Sequence, residues 1–316
     1  MPQQARRSAV RQVLGAGRAW LARGIGAFVA QFPQTEPAFI KLGRALLRYS
    51  YPLATLYFHA NGNLIERLRL SGRRYRSVAF SRVTLQIDVT DHTGRSLYFH
   101  GTPYEPELTH WLLTELHAGD VFVDIGANIG FFSLVGAAVI GPTGRVVAFE
   151  PHPDARSEMV RLLQQNGVAD RVDVVSAALG DRCEPAVPFY LTFDSVLSTL
   201  NPAQAPGSEA YCFDRIVNVP LTTLDRWMDG RPDLVQRIAA IKVDVEGLEA
   251  EVVLGMQRTL ATIPRARLVV ETTPDSDADR QLLSAGFVRS ALDIYVSRGT
   301  FGNYLYQRES SAPSRA

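Results

Sequence analysis

Short apolar segments alternate with longer amphipathic ones from about residue 107 onward, and this alternation restricts the possible folds more than any other feature of the sequence. The predicted strands are Val121–Ile125, Arg145–Glu150, Val172–Ala177, Ile241–Val245 and Arg267–Glu271, and the predicted helices are Glu107–Leu116, Gly130–Val139, Pro153–Gln165 and Asp277–Ala285. Repeated β-α units of this kind form a mainly parallel sheet with helices on both faces. We therefore predict an α/β, Rossmann-like domain whose ligands lie at the carboxyl ends of the strands. Two last apolar stretches, Phe287–Tyr295 and Tyr304–Tyr306, predict a closing hairpin.

Four regions are predicted along the chain. Residues 1–80 form a largely helical accessory region, and residues 81–110 form a β-hairpin and lead-in. The hairpin is predicted from the alternating run Val83–Val89 and the apolar run Ser96–Phe99, with turn residues between them. Residues 111–308 form the Rossmann-like domain, and residues 309–316 form a disordered tail.

Composition argues against several classes of function. Lys and Arg number 33 against 32 Asp and Glu, so the net charge of +1 provides no overall attraction for nucleic acid. The two cysteines lack a CxxC partner and the six histidines lack the i, i+4 spacing of a zinc helix, so no metal is predicted. The chain has no run of 18 uncharged apolar residues and no convincing signal peptide, and we expect a cytoplasmic protein.

The first 35 residues contain no acid. Five arginines, Arg6, Arg7, Arg11, Arg18 and Arg23, lie among apolar residues at roughly helical spacing. Such a segment fits a helix on an anionic membrane surface. An accessory helix packed on its own domain, or a frayed terminus, is the preferred interpretation, because single basic amphipathic helices are common. Peripheral membrane contact is therefore one expectation and internal packing the other.

The strongest local motif is the strand, turn and helix start at Val121–Gly130. Glycines at Gly126 and Gly130 allow positive φ angles and close approach of the backbone to a ligand. Asp124 ends the strand, where a carboxylate would repel the pyrophosphate of a dinucleotide but attract a ligand that carries an ammonium and a sulfonium. The alternative is that Asp124 only caps the following helix.

Two further strand ends carry candidate cofactor contacts. Glu150 ends the second strand, where a carboxylate accepts hydroxyls of a ribose, although in isolation an exposed strand-end acid is the preferred interpretation. The small residues Ser176–Leu179 close the third strand and suit the edge of an adenine.

A fourth strand ends in the acids Asp244 and Glu246, and Glu249 and Glu251 follow on the next helix. Clustered carboxylates at the edge that also carries Asp124 are candidates for functional groups. A carboxylate is a sufficient base for methyl transfer to a hydroxyl, because that reaction mainly requires positioning and late proton removal. The alternative for Glu249 and Glu251 is that they are solvated acids in the first turn of a helix, where they complement its dipole.

Together these motifs resemble the FkbM-type family of class I S-adenosylmethionine-dependent methyltransferases. The matching segments are Tyr104-Glu105, Asp120–Gly130, Val147–Pro151, Ala177–Asp181, Leu221–Asp225, Ile241–Glu249, Leu254-Gly255 and Val269–Glu271. The resemblance implies a seven-stranded sheet with the last strand antiparallel, and S-adenosylmethionine as methyl donor. It implies that the acceptor is a hydroxyl of a sugar, a glycoconjugate or a secondary metabolite.

The resemblance also implies roles for individual residues. Asp124, Gly126, Asn128 and Gly130 would surround the methionine part of the cofactor, Glu150 the ribose, and Ala178 the adenine. Asp244 and Glu246 would form the reacting edge.

Three other functions compete with this interpretation. A nicotinamide-dependent oxidoreductase is disfavoured by Asp124 and by the missing third glycine of GxGxxG. A catalytically silent binding domain is disfavoured by the intact acids at the strand ends. A nucleic-acid methyltransferase is disfavoured because the domain lacks a stripe of basic and aromatic residues.

Overall fold

The structure is a computed structural model. It describes residues 17, 19–49, 51–80, 83–90, 92–192, 198–200, 213–263, 265, 267–292 and 300–308. The predicted tail at 309–316 and the arginines up to Arg18 lie outside the described residues. Two compact units are present, Met1–Tyr104 and Glu105–Ala316.

The N-terminal unit is helical with one hairpin. Its elements are helix α1 at 19–31, helices α2 Glu36–Tyr49 and α3 Tyr51–Leu70, strands β1 Tyr75–Phe80 and β2 Val83–Asp88, and helix α4 His92–Arg95, which continues as a π-helical turn over Ser96–His100. Apolar side chains from most of these elements form one core, and its buried members are Val29, Ile40, Tyr57, Leu64, Ile65, Leu68, Val89 and Phe99.

The predicted hairpin is wrong in one of its strands. β2 pairs antiparallel with the preceding segment, in the register Tyr75 opposite Asp88, and Ser96–Phe99 is helical. Leu97 and Phe99 of that segment are buried. Two of its carbonyls accept hydrogen bonds from side chains and not from a neighbouring strand: Tyr57 donates to the carbonyl of Phe99 at 2.9 Å, and Arg44 donates to that of Tyr98 at 2.6 Å.

The second unit carries ten strands and eight helices among its described residues. The strands are β3 Val121–Ile125, β4 Arg145–Phe149, β5 Val172–Val175, β6 Ala178–Leu179, β7 Glu184–Thr192, β8 Phe213–Thr222, β9 Ile238–Val243, β10 Arg267–Thr272, β11 Phe287–Ala291 and β12 Gly302–Arg308. The helices are α5 Pro106–Glu115, α6 Phe131–Ile140, α7 Pro153–Gln165, α8 Leu224–Met228, α9 Pro232–Gln236, α10 Glu249–Leu254, α11 Gln257–Thr262 and α12 Asp277–Ser284.

Seven of the strands form the central sheet, in the order β11-β12-β10-β9-β3-β4-β5. The five strands from β10 to β5 are parallel, and β12 runs antiparallel to β10 and β11. This is the predicted Rossmann-like α/β fold with an antiparallel last strand, and the closing hairpin is also confirmed. β3 is buried along its whole length because neighbouring strands flank it on both sides and helices cover both faces.

The division between the units differs from the predicted boundaries. The second unit begins at Glu105 and includes the whole of α5. The predicted boundary at residue 110 would divide that helix. A boundary at residue 80 likewise separates two strands that pair with each other.

A three-stranded sheet, in the order β6-β8-β7, was not predicted. β7 and β8 form a long antiparallel pair, and β6 joins β8 in parallel. None of the described helices has the length and apolar character needed to cross a bilayer.

Candidate active site

The turn after β3 passes directly beside the end of β9. Gly126 has φ of +77°, and a Cβ atom there would lie 1.7 Å from the carbonyl oxygen of Asp244. The backbone amide of Asp244 donates to the carbonyl of Ile125 at 3.1 Å. Glycine is required at this point by both its backbone angle and the absence of space for a side chain.

The same turn continues through two more left-handed residues. Asn128 has φ of 50°, and Gly130 has φ of 82° and lies so close to α7 that an added Cβ would be 2.3 Å from Cγ of Met159. The amide of Asn128 donates to Oε2 of Glu150 at 2.6 Å. Four of the predicted cofactor residues, Gly126, Asn128, Gly130 and Glu150, therefore lie around one turn.

Asp124 is completely buried at the end of β3. Its Oδ2 accepts a 2.6 Å hydrogen bond from the hydroxyl of Ser133, and its Oδ1 has no hydrogen-bond partner among the described residues. Asp124 is not the N-cap residue of α6, which begins after Gly130, but it accepts hydrogen bonds from Ser133 in the first turn of that helix, so part of the capping alternative holds. Burial raises the pKa of Asp124, and nearby Lys242 and Ser133 oppose that increase.

Glu150 is also buried and is not the exposed strand-end acid of the alternative interpretation. Besides the amide of Asn128, it accepts the amide of His152 at 2.6 Å through Oε1. Burial raises the pKa of Glu150 to about 7, although the two amides favour its charged form. Each carboxylate oxygen can accept a second hydrogen bond, so the group keeps capacity for a ligand hydroxyl.

Ala178 lies in β6, three residues beyond the end of β5, and is 6% exposed. Its backbone pairs with Leu221 of β8, so the unpredicted three-stranded sheet fixes its position. The predicted adenine contact therefore lies just after β5. That strand pairs with β4, which Glu150 follows directly.

Asp244 follows β9 and is paired with a buried lysine. Nζ of Lys242 donates to Oδ2 of Asp244 at 2.9 Å, and the lysine is 2% exposed. Burial disfavours the ammonium, but attraction to Asp244, Asp124 and Glu105 outweighs it and raises the pKa of Lys242. Lys242 and Glu105 lie in segments that resemble the family, but no role was predicted for either residue from the sequence.

The acids at the ends of β9 and β10 meet. Carboxylate oxygens of Asp244, Glu246 and Glu271 all lie within 4.8 Å of one another, close enough to share a proton or a cation. Burial, followed by the influence of Asp244, Glu105 and Glu246, raises the pKa of Glu271. The absence of a metal stays a prediction. It was based on the patterns of cysteines and histidines, whereas this cluster consists of three carboxylates from separate segments.

Two contacts hold the backbone around Glu246. Glu246 has φ of 56°, and its carbonyl accepts a 3.0 Å hydrogen bond from the hydroxyl of Thr199. Glu249 is half-buried and accepts the amide of Gly247 at 3.1 Å, so it is not merely a solvated acid. Thr199 belongs to the connection between β7 and β8, which no sequence motif had marked.

The charges fit the predicted cofactor. Asp244, Asp124 and Glu105 act on Lys242, and Glu246 and Glu271 lie close to Asp244. One buried lysine thus stands against five carboxylates, and Oδ1 of Asp124 is buried without a hydrogen-bond partner among the described residues. A ligand with an ammonium and a sulfonium offsets this negative charge, whereas a dinucleotide pyrophosphate would add to it.

Comparisons with known proteins agree with this geometry. The family model described as "Methyltransferase FkbM domain" matches residues 124–298, more than half of the chain. Among curated proteins, the methyltransferase sdnD of Sordaria araneosa is 29% identical over 190 residues, which cover 54% of this chain and 73% of that protein.

Solved structures with a related fold include several methyltransferases. An S-adenosylmethionine-dependent O-methyltransferase from Thermotoga maritima is 11% identical, with a TM-score of 0.37 and coverage of 74% of this chain and 77% of that one. Aeropyrum pernix fibrillarin with bound S-adenosyl-L-methionine is 12% identical, with a TM-score of 0.36 and coverage of 61% and 68%. On the strength of the family model and the strand-end motifs, this chain belongs to the FkbM family of methyltransferases, which use S-adenosylmethionine as the methyl donor.

Proposed function

We propose that this methyltransferase acts on a hydroxyl group of a sugar, a glycoconjugate or another secondary metabolite. The observation that carries the proposal is the cluster of Asp244, Glu246 and Glu271, whose carboxylate oxygens lie within 4.8 Å of one another. Deprotonation of a hydroxyl during methyl transfer needs a proton acceptor, and this cluster supplies carboxylates at the predicted reacting edge.

Within the cluster we assign different roles to the two predicted catalytic acids. Asp244 is held by Lys242 at 2.9 Å and is a neighbour of Glu271, so its position is fixed on two sides. Glu246 stands on a left-handed backbone that the hydroxyl of Thr199 supports. Strained residues that are held in this way concentrate at functional sites. Glu246 is therefore the proposed base, and Asp244 orients the acceptor.

The remaining predicted residues hold the cofactor. The turn Gly126–Gly130 and Glu150 bind its amino acid and ribose parts, Ala178 borders its adenine, and Asp124 contributes negative charge from beneath the turn. When bound, S-adenosylmethionine supplies a methyl group activated by a sulfonium. The acceptor oxygen would bond to that carbon as the carbon–sulfur bond breaks and S-adenosylhomocysteine leaves, and Glu246 would accept the proton of the hydroxyl.

A neighbouring cavity supports an acceptor of moderate size. It has a volume of about 320 Å³, and the residues that line it include Leu179, Asp181, Val187, Leu200, Leu248 and Glu251. Leu248 lies two residues after Glu246 in the chain, and Arg182 also lines the cavity. The mixture of apolar and charged side chains suits a hydroxylated ligand.

A polyanionic acceptor is disfavoured by charge. Residues 66–316 contain 25 basic and 31 acidic residues, a net charge of −6. Nucleic-acid binding relies on basic residues that neutralise phosphates. The proposed compartment is the cytoplasm, because the methyl donor is an intracellular metabolite and the exposed Cys183 is a free thiol.

The test begins with calorimetric titration of the full chain with S-adenosylmethionine, S-adenosylhomocysteine and NAD. Binding of the first two at about micromolar affinity, or roughly −8 kcal/mol, with none for NAD, is expected. Labelled methyl transfer to a panel of monosaccharides, nucleotide sugars and glycosylated metabolites then identifies the acceptor. A methyl group found on nitrogen, or on nucleic acid, would overturn the proposal.

The roles of the acids are tested with the acceptor so identified. Glu246→Gln should lower kcat by roughly 100-fold or more and leave cofactor affinity within about twofold. Asp244→Asn should change KM for the acceptor as well as kcat. Asp233→Asn, an exposed acid on α9, is the control and should match the parent. An unchanged rate in Glu246→Gln would exclude Glu246 as the base.

A further inference from the structure

Helix α1 carries large apolar side chains on its outward face. Trp20 is 77% exposed, Phe28 53% and Leu21 46%, and Phe32, just after the helix, is 38% exposed. At 100° per residue, these side chains fall within one arc of about 120°. Clustered exposure of this kind, unlike single scattered residues, marks an interaction surface.

The orientation of the helix is fixed by its other face. Ala22 and Val29 are buried, and a Cβ atom at Gly26 would lie 2.7 Å from the carbonyl oxygen of Ala60 on α3. Because α1 is in tight backbone contact with α3, it cannot turn its aromatic face inward without losing that packing. Packing and outward exposure therefore occur together, on opposite faces of one helix.

The sequence that contains α1 is strongly basic. The first 65 residues contain seven arginines and one lysine, and their single acid is Glu36. That acid is buried and paired with Arg76 at 2.7 Å, so it does not offset the surface charge. The rest of the chain is net negative, as noted above, so the basic charge is concentrated at this end.

We propose that the outward face of α1, formed by Trp20, Leu21, Phe28 and Phe32, lies in the interfacial layer of an anionic bilayer. Apolar side chains on such a helix enter the boundary between headgroups and acyl chains, and tryptophan favours this layer. Arginines near the surface add attraction to anionic lipids. This proposal does not depend on the identity of the methyl acceptor.

Other occupants fit these observations less well. A nucleic acid would neutralise the arginines but would leave the tryptophan, leucine and phenylalanine side chains in water. A second copy of the chain would bring two strongly basic segments together, and like charges across an interface cost free energy. An anionic bilayer satisfies both the apolar face and the charge.

The experiment is flotation of the full chain with vesicles of phosphatidylcholine alone or with 30% phosphatidylglycerol, chosen as a roughly physiological anionic fraction. We expect binding to the anionic vesicles that weakens with added salt, and little binding to the neutral ones. Leu21→Glu and Phe28→Glu should each lower the partition coefficient by about tenfold or more. Val288→Glu, at a site in the other unit that is also 46% exposed, should not change it.

Tryptophan fluorescence gives a second readout. Of the three tryptophans, Trp111 is buried and Trp227 partly buried, so a blue shift and quenching by brominated lipid report on Trp20. Trp20→Phe should abolish both signals and retain flotation. Equal binding of Leu21→Glu and the parent would overturn the proposal. So would binding to DNA without binding to vesicles, or a dimer in sedimentation that Phe28→Glu dissociates.

Discussion

The carboxylate of Glu150 accepts a 2.6 Å hydrogen bond from the backbone amide of Asn128. This contact connects the turn after β3 to the end of β4. It explains how a buried acid, which costs free energy when charged, stabilises a turn with three left-handed residues. Burial of this carboxyl raises its pKa and makes the stability of the protein dependent on pH.

Glu150→Gln should change how stability depends on pH. The pKa of Glu150 is about 7 in the folded chain and about 4.5 when unfolded, so the folded state binds the additional proton between these values. Stability from this group is therefore complete below pH 4.5 and is lost as the pH rises through 7, by about 3 kcal/mol. Urea unfolding at several pH values should show this loss in the parent relative to Glu150→Gln. The variant Glu158→Gln, at a partly exposed position on α7, should follow the parent. Parallel curves for Glu150→Gln and the parent would contradict the prediction.

Gly126→Ala should unfold or severely destabilise the second unit, because the new Cβ would overlap the carbonyl oxygen of Asp244. Gly230 offers a matched control, since its φ of 75° is nearly the same but nothing lies within 4 Å of an added Cβ. Gly230→Ala should cost about 1–2 kcal/mol from backbone strain alone. Thermal unfolding of both variants separates strain from overlap. Equal losses would show that the close approach to Asp244 does not matter.

Lys242→Met should destabilise the protein by about 3–5 kcal/mol, because it leaves Asp244 and Asp124 without their buried counter-charge. The chain contains one other lysine, the exposed Lys41 on α2, and Lys41→Met should stay within about 0.5 kcal/mol of the parent. Adding Asp244→Asn to Lys242→Met should recover part of the loss. Urea denaturation measures the free energy of unfolding of the two single variants and the double variant. A small effect of Lys242→Met would contradict a stabilising ion pair between Lys242 and Asp244.

Tyr98→Phe should destabilise the N-terminal unit by about 1.5–3 kcal/mol near neutral pH, because it removes a 2.6 Å hydrogen bond to the buried carboxylate of Glu36. Burial alone would raise the pKa of Glu36, but hydrogen bonds from Arg76 and Tyr98 outweigh it and lower that pKa. Stability from Glu36 is thus present above its unfolded pKa of about 4.5 and is lost as the pH falls through the lowered value. The difference between parent and Tyr98→Phe should shrink in acid, and a difference that grows instead would contradict this role.

The central sheet was predictable because its signals are local. Buried parallel strands are continuous apolar runs, and the acids and glycines that follow them mark the edge where ligands bind. Val121–Ile125 was placed without error, and the closing hairpin and the family followed from the same motifs. The hairpin of the N-terminal unit failed because Ser96–Phe99 has the composition of a strand, while Tyr57 and Arg44 bind its carbonyls from α3 and α2.

The site illustrates the same limit. Asp124, Glu150, Asp244 and Glu246 were recognisable as strand-end acids, but nothing in the sequence indicated that Lys242 neutralises Asp244 or that Glu271 joins the cluster. Thr199 lies 47 positions from Glu246 along the chain, and its hydrogen bond exists only because the strands β7 and β8 fold back to the sheet edge.

The sequence by itself determined the parallel strands of the central sheet, the family and the acids that end the strands, because periodicity and short motifs depend on neighbouring residues. The tertiary structure decided which acids meet, which of them are buried, and which face of α1 remains outside. Those properties depend on contacts between residues far apart in the chain. Burial and hydrogen-bond partners, rather than residue type, set the direction in which each of these carboxyl pKa values moves.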